Sequence, residues 1–337
     1  MRHALLCILL LALPALAAAA DYTVDVNTDK AFRGTTLFAE TMDPKHPRIV
    51  EVDMDGAVVW EYAIPTEIVR GGHPGQAMDI EWIPETDTIL FVMPLKGIYE
   101  VDRNKQIVWK HLTKRVSHDA DKLPNGNILY SFAWERENDT QVFEITPDGK
   151  EVWHWRAVEH IAPSERRHKG PVRQDGFCHV NGVMRLDNGQ TRISMRNFNM
   201  AVEVDQKGTI VWSLRELSNG KEARNIHDPR TLPNGNIILS THGPQRIFEV
   251  TRDGRLVNCR RDKNIHLVRS HQVLPNGNIL CTDADKLMEL TPDLREIVWQ
   301  LRKPGVDIRK LYTKGKVGPG DPREVGFYKA ERIPPRQ

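Results

Sequence analysis

The chain writes one phrase more than once. HDADKLPNGNILYSFA at 118–133 returns as HDPRTLPNGNIILSTH at 227–242, and a Pro-Asn-Gly-Asn turn recurs at 124–127, 233–236 and 275–278. Asp187-Asn188-Gly189 and the weaker Pro84-Glu85-Thr86-Asp87 stand in the same place elsewhere. A second phrase alternates with it: an apolar strand, a turn and Val-Trp, as in IVEVDMDGAVVW (49–60), YEVDRNKQIVW (99–109), VFEITPDGKEVW (142–153), VEVDQKGTIVW (202–212) and MELTPDLREIVW (288–299). A degenerate copy, IFEVTRDGRLVN, ends at Asn258. Asn-Gly and Asp-Gly between β-branched alternations are hairpin signals. Each hairpin supplies two strands and each Val-Trp segment two more, so six endings about 41–59 residues apart predict six four-stranded units, an all-β six-bladed β-propeller.

The ends of the chain explain each other on that reading. Residues 33–62 supply three strands with no first strand before them, and FYKAERIP at 327–334 reads as a first strand that never continues. Joined, they make the sixth blade, so that N-terminal strands plus the C-terminal strand close the ring and remove sheet edges that invite aggregation. Trp60, Trp109, Trp153, Trp212 and Trp299 recur once per unit and are predicted on outer strands, packing blade on blade. Residues 1–20, MRHALLCILLLALPALAAAA, have a basic start, an apolar run and a small-residue end, and read as a cleaved signal peptide too short and too Ala-terminated for a membrane anchor. The expectation is an exported, periplasmic propeller over 21–337 without membrane insertion.

Charge nearly cancels, with 47 Lys and Arg against 45 Asp and Glu, so no general basic field points to nucleic acid. Cys178, Cys259 and Cys281 allow one disulfide at most and show no zinc spacing, so small buried side chains are expected, and whether two of them pair stays open.

In a propeller the first strand of each blade lines the central channel and starts at one face. Those starts carry His73, His118, His179, His227 and His271, which therefore gather around a funnel, although their offsets from the hairpin turns differ and no level ring is predicted. Spread over five blades they are too far apart for tetrahedral zinc, and no metal site is predicted. Asp119 and Asp228, beside two of the histidines, are expected to cap the tight backbone where strands enter a blade. Two long insertions, 156–176 and 301–326, fall on the same face; the second holds seven Lys or Arg against three Asp or Glu, so the mouth is locally positive and draws anions.

These segments resemble the PAPS-independent aryl sulfotransferases, periplasmic six-bladed propellers that move a sulfuryl group from a phenyl sulfate to another phenol. The resemblance runs from GTTLFAETM (34–42) through DMDGAVVW and HDADKLPNGNIL to HVNGVMRLDNGQTRISMRNFNMAVEVDQKGTIVW (179–212) and HDPRTLPNGNIILS. Its most specific piece is His-x-Asn followed by Ser-x-Arg-Asn. It implies that His227 is the transiently sulfated nucleophile, that His179 and Asn181 match the supporting His-x-Asn, that Arg196 binds the sulfate and that His118 is the histidine one blade earlier. His73 and His271 are expected as further substrate contacts. A neutral imidazole, with an ordinary pKa of about 6.5, is able to attack sulfur, and an N-sulfo intermediate splits one difficult transfer into two displacements. Fixed donors then stabilise the sulfuryl oxygens and the departing phenolate. The implied partners are an aryl sulfate and a phenol; no cofactor or metal is implied.

Two other functions fit the same elements. A non-catalytic propeller would bind an anionic small molecule, glycan or protein at the same mouth. A quinoprotein-type propeller is suggested by the Asp-Gly-x-x-Val-Trp segments, which resemble the docking motifs of pyrroloquinoline quinone propellers; those have eight blades and an acid-rich calcium site.

Overall fold

The computed structural model describes residues 21–75, 77–166, 176–217, 223–241, 246–306 and 326–335. The expected signal peptide and the greater part of the 301–326 insertion lie outside the described residues, as do residues 167–175 of the 156–176 insertion.

Six antiparallel sheets make the propeller. Blade 1 joins the two ends of the chain, in the order β25 (Phe327–Ile333), β2 (Thr35–Glu40), β3 (Arg48–Val52) and β4 (Val58–Ala63). Blade 2 is β5 (Ile80–Ile83), β6 (Thr88–Met93), β7 (Gly97–Val101) and β8 (Ile107–Leu112); blade 3 is β9 (Ala120–Lys122), β10 (Ile128–Ser131), β11 (Val142–Ile145) and β12 (Glu151–Trp155). Blade 4 is β13 (Val180–Arg185), β14 (Thr191–Met195), β15 (Met200–Val204) and β16 (Ile210–Leu214); blade 5 is β17 (Ile226–Thr231), β18 (Ile237–Thr241), β19 (Arg246–Val250) and β20 (Leu256–Arg261). Blade 6 holds β21 (Ser270–Val273), β22 (Ile279–Thr282), β23 (Lys286–Leu290) and β24 (Ile297–Arg302), and β1 (Thr23–Asn27) adds a fifth strand on β24. The ring therefore closes as the sequence predicts, by β25 beside β2. The extra clasp of β1 is not in the repeat pattern.

The recurrent turn works the same way each time. Gly126, Gly235 and Gly277 take φ of 81–84°, the left-handed region that favours glycine. The first Asn of each turn accepts the N–H of the second, as Asn125 Oδ1 does from Asn127 N at 3.0 Å. The second Asn then donates its amide to a glutamate on the third strand: Asn127 to Glu144 at 2.7 Å, Asn236 to Glu249 at 2.6 Å and Asn278 to Glu289 at 2.7 Å. Blade 2, which lacks the motif, gives that role to Thr88, whose hydroxyl donates to Glu100 at 2.6 Å.

Middle strands are apolar on both faces because each face fills a different wedge. Ile89 and Phe91 pack toward blade 1, with Leu37, Ile49 and Tyr62, while Leu90 and Val92 pack toward blade 3, with Ile128 and Tyr130. Five tryptophans lock the rim, each donating its indole N–H to a turn carbonyl of the next blade: Trp60 to Arg103 at 3.0 Å, Trp109 to Pro147 at 2.7 Å, Trp153 to Gln206 at 2.9 Å, Trp212 to Arg252 at 2.8 Å and Trp299 to Met54 at 3.0 Å. At the remaining joint, where the degenerate copy carries Asn258, Arg260 donates instead to the carbonyls of Leu294 and Arg295 at 3.1 and 2.8 Å. The three cysteines are free thiols, Cys178 and Cys281 buried and Cys259 exposed.

Trp299 is fully buried at the closure between blades 6 and 1. Trp299→Phe, which loses the indole bond but keeps an aromatic ring, is expected to lower the unfolding free energy by about 1 kcal/mol, and Trp299→Ala by about 3–5 kcal/mol, measured by urea denaturation.

Candidate active site

Around the axis, a side chain on each inner strand bonds the backbone of the next blade. Asp79 accepts from Ala120 N (2.9 Å), Asp119 from Val183 N (2.7 Å), Asp228 from His271 N (2.7 Å), Gln272 from Arg332 N (2.6 Å) and Glu331 from Trp82 N (2.8 Å), while Asn181 donates to Ile226 O (3.0 Å). All six joints are bridged. The expectation that Asp119 and Asp228 bond tight backbone is met by bonds between blades.

These bonds also set the levels of the channel. His118 and His227 immediately precede the bridging Asp119 and Asp228. Ala120 and His271 are equivalent, each donating to the preceding blade's aspartate, so the blade 6 counterpart of His118, two residues before the donor, is Arg269. Tyr328 precedes Lys329, whose ammonium lies among Asp79 (2.9 Å), Asp119 (3.2 Å) and Asp121 (3.7 Å). Met78, His118, His227, Arg269 and Tyr328 thus share one level, and the ionic layer lies beneath them. In that layer Arg230 pairs with Asp228 at 2.6 Å. Burial opposes the Lys329 charge, but the three aspartates outweigh it and hold the ammonium protonated far into alkaline pH. Burial also raises the Asp121 carboxyl to about 7.

Above the ions, a directional hydrogen-bond chain joins blades 4 and 3. Arg196 Nη2 lies 3.3 Å from His179 Nδ1, and His179 Nε2 lies 3.2 Å from His118 Nε2. Guanidinium only donates, so His179 Nδ1 accepts and its Nε2–H donates to His118, which then carries its own proton on Nδ1. His118 Nδ1 is buried with no partner among the described residues. The His118 ring also meets Trp134 at 5.1 Å and Tyr328 at 5.7 Å, centroid to centroid.

His227 is buried on blade 5, and its Nδ1 donates to the carbonyl of Asn225 at 2.9 Å, which leaves the lone pair on Nε2. Two left-handed positions aim these rings: Asp228 at φ 41°, in the β17 bulge just after His227, and His179 at φ 54°, immediately before β13. Burial drives the His227 imidazole well below its ordinary pKa, and Arg196, Arg269 and His118 push the same way, against the bond to Asn225. Burial likewise lowers His118, helped by His179, Arg196, Arg269 and His73. Both rings are neutral at pH 7.

The sequence-derived candidates fall into three groups. His118, His179, His227 and Arg196 come together as described. Asn181 spends its amide elsewhere, donating to Ile226 O and accepting from Ser194 Oγ at 2.6 Å, so it fixes the backbone beside His227. His73 sits at the mouth, half-buried, 5.4 Å from Trp134. His271 does not join the cluster: it lies deeper than His118 and His227, its ring fully enclosed, with Nδ1 donating to Asp228 O at 3.0 Å. His271 stands four residues before Pro275, whereas His118 and His227 stand six before Pro124 and Pro233, the place that Arg269 holds in blade 6. Arg269, Tyr328 and Trp134 escaped the motif reading, and so did Glu135, whose Oε1 accepts the N–H of Cys178 (2.8 Å) and of His179 (3.0 Å) and the Cys178 thiol (3.1 Å). Gly176 lets this loop pass: a Cβ there would lie 1.7 Å from Ala133 O.

Fold and cluster together define a propeller with a funnel of neutral imidazoles and guanidinium groups. The arylsulfotransferase (ASST) family model matches residues 23–216, more than half of the chain, and the chain belongs to that family. The match contains His118, His179, Asn181 and Arg196 and ends before His227. No curated protein matches. Among solved structures, a protein of unknown function from Bacteroides caccae superposes with a TM-score of 0.57 at 15% identity, covering 80% of this chain and 94% of that one. A streptogramin B lyase gives 0.53 at 11% identity, covering 86% and 90%. A catalytically inactive virginiamycin B lyase from Staphylococcus aureus with quinupristin gives 0.52 at 12% identity, covering 85% and 90%. At these identities the likeness is one of fold.

Glu135 offers a check on the loop that carries His179. Burial raises its carboxyl from 4.5 to about 7, so its protonated form favours the folded state: that contribution is complete below pH 4.5 and lost as pH rises through 7. Glu135→Gln keeps a carbonyl acceptor but cannot ionise. Its unfolding free energy, followed by denaturant titration from pH 4.5 to 7, is expected to lack a decline of up to about 3 kcal/mol present in the wild type.

Proposed function

We propose that the protein is an aryl sulfotransferase that moves a sulfuryl group from an aryl sulfate ester to a phenol through a sulfated His227, and that it works in the periplasm after removal of residues 1–20. The observation that carries this reading is His227 itself: a buried, neutral ring with Nδ1 tied to a carbonyl and a lone pair on Nε2, within electrostatic reach of Arg196, Arg269 and His118.

In the first half, Nε2 attacks sulfur as the bond from sulfur to the aryl oxygen breaks, and the electron pair leaves with the phenolate. The proton stays on Nδ1, donated to the Asn225 carbonyl, so the N-sulfo ring is neutral overall. In the second half the acceptor oxygen attacks sulfur, the nitrogen–sulfur bond returns its pair to Nε2, and the acceptor's proton balances the one taken up by the first phenolate. Arg196 serves the sulfuryl oxygens, and the chain from Arg196 through His179 to His118 presents a fixed N–H donor. Asn181, by gripping Ile226 O, positions the nucleophile's strand. A prepared donor set costs no reorganisation during the reaction.

The experiment is 4-nitrophenyl sulfate with phenol and no nucleotide. Nitrophenol release by wild type, its loss in His227→Ala, and a +80 Da adduct trapped on His227 are the expected results. Binding of the sulfate ester without turnover would favour the non-catalytic alternative. Because the His227 pKa is depressed, kcat/KM on lowering pH is expected to stay flat through about 6.5, where an ordinary imidazole would protonate and the rate would fall.

A further inference from the structure

The level that carries His118 and His227 has two polar members that no motif pointed to, Arg269 on blade 6 and Tyr328 on blade 1. Arg269 is only 4% exposed, and its guanidinium carbon lies 5.8 Å from the centre of the Tyr328 ring. That ring in turn lies 5.7 Å from His118, so side chains from blades 3, 6 and 1 meet across the axis. Tyr328 Oη and His118 Nδ1 are both buried with no partner among the described residues. A buried donor left in that state costs roughly 1–3 kcal/mol, which a bound acceptor recovers.

Arg269 Nη1 donates to the Phe327 carbonyl at 3.4 Å, and the carboxylates beneath are engaged by other groups. Asp228 is taken up by Arg230 and by His271 N–H, and Asp119 by Lys329 and Val183 N–H. Arg196 enters from blade 4, so the two cations come from the blades on either side of blade 5, which carries His227. Both guanidinium groups depress both imidazoles, which places the two cations around one small space. A sulfate ester undergoing transfer has two centres of negative charge, the sulfuryl oxygens and the aryl oxygen whose bond to sulfur is breaking.

We propose that Arg269 is a catalytic residue of this transfer, its guanidinium binding the aryl oxygen of the departing and the attacking phenol while Arg196 binds the sulfuryl oxygens. The catalytic part rests on the sulfuryl-transfer reading; the phenolate binding does not. Arg269 remains protonated throughout and passes no proton. It lowers the barrier by holding the electron pair that leaves with the aryl oxygen, and it selects acceptors that enter as phenolates.

The test uses 4-nitrophenol, whose phenolate is coloured, titrated spectrophotometrically with the full-length protein. Bound nitrophenol is expected to ionise about one pH unit or more below the free compound in wild type and in Arg196→Gln, and Arg269→Gln is expected to abolish the shift. With a series of aryl sulfates, Arg269→Gln is expected to lower kcat/KM by about 10²–10³-fold for the most basic leaving phenols and by much less for 4-nitrophenyl sulfate. An unshifted wild type, the same shift in Arg269→Gln, or a loss equal across all donors overturns the assignment. If the shift depends on Arg269 but wild type transfers nothing, the transferase reading fails and Arg269 stands as a phenolate-binding residue. Thermal unfolding monitors the fold; should Arg269→Gln not fold, Arg269→Lys decides, since it keeps the charge and so the shift while losing rate with its fork geometry, and a Lys variant without the shift overturns the proposal.

Discussion

The molecule depends on the ring of side-chain-to-backbone bonds around its axis. Among the described residues neighbouring blades share no β-ladder, so apolar wedges alone would let inner strands slide along one another. Six bridges, from Asp79 round to Glu331, fix the height of each strand relative to the next. A histidine placed just before such an aspartate inherits that precision. The rim tryptophans do the corresponding work at larger radius, where the wedge is wide and a bulky indole fills it.

Much of this was legible in the repeats. Trp spacing gave the blade count, and the unmatched strand at 327–334 gave the closure. The joint with Asn258 in place of Trp marked itself as different, although its replacement by Arg260 was not readable from the motif. Other features stayed hidden because a repeat fixes positions and not which side chain types will meet there. Arg269 stands six residues before Pro275, as His118 and His227 stand before Pro124 and Pro233, but it is not a histidine, whereas His271 matches in residue type and stands only four before its turn. Glu135 carried no repeat signal, since it serves one loop only. The third-strand glutamates that anchor the Asn-Gly turns were visible but unread, being ordinary residues inside an apolar strand.

The same architecture in the two lyases named above shows how little a propeller prescribes about chemistry. In this chain charge is layered along the axis. Carboxylates occupy the axial layer and are matched there by Lys329 and Arg230, while the layer above has cations and neutral rings. That vertical separation lets a mouth lined with cations sit directly on an acidic floor.

The strand that closes blade 1 also delivers Tyr328 to the upper layer and Lys329 to the floor. Until this last strand docks, Asp79, Asp119 and Asp121 face one another without their ammonium, and mutual repulsion opposes contraction of the ring. Assembly therefore has an electrostatic latch: a strand distant along the chain from the rest of its blade neutralises the centre and completes the mouth in a single event.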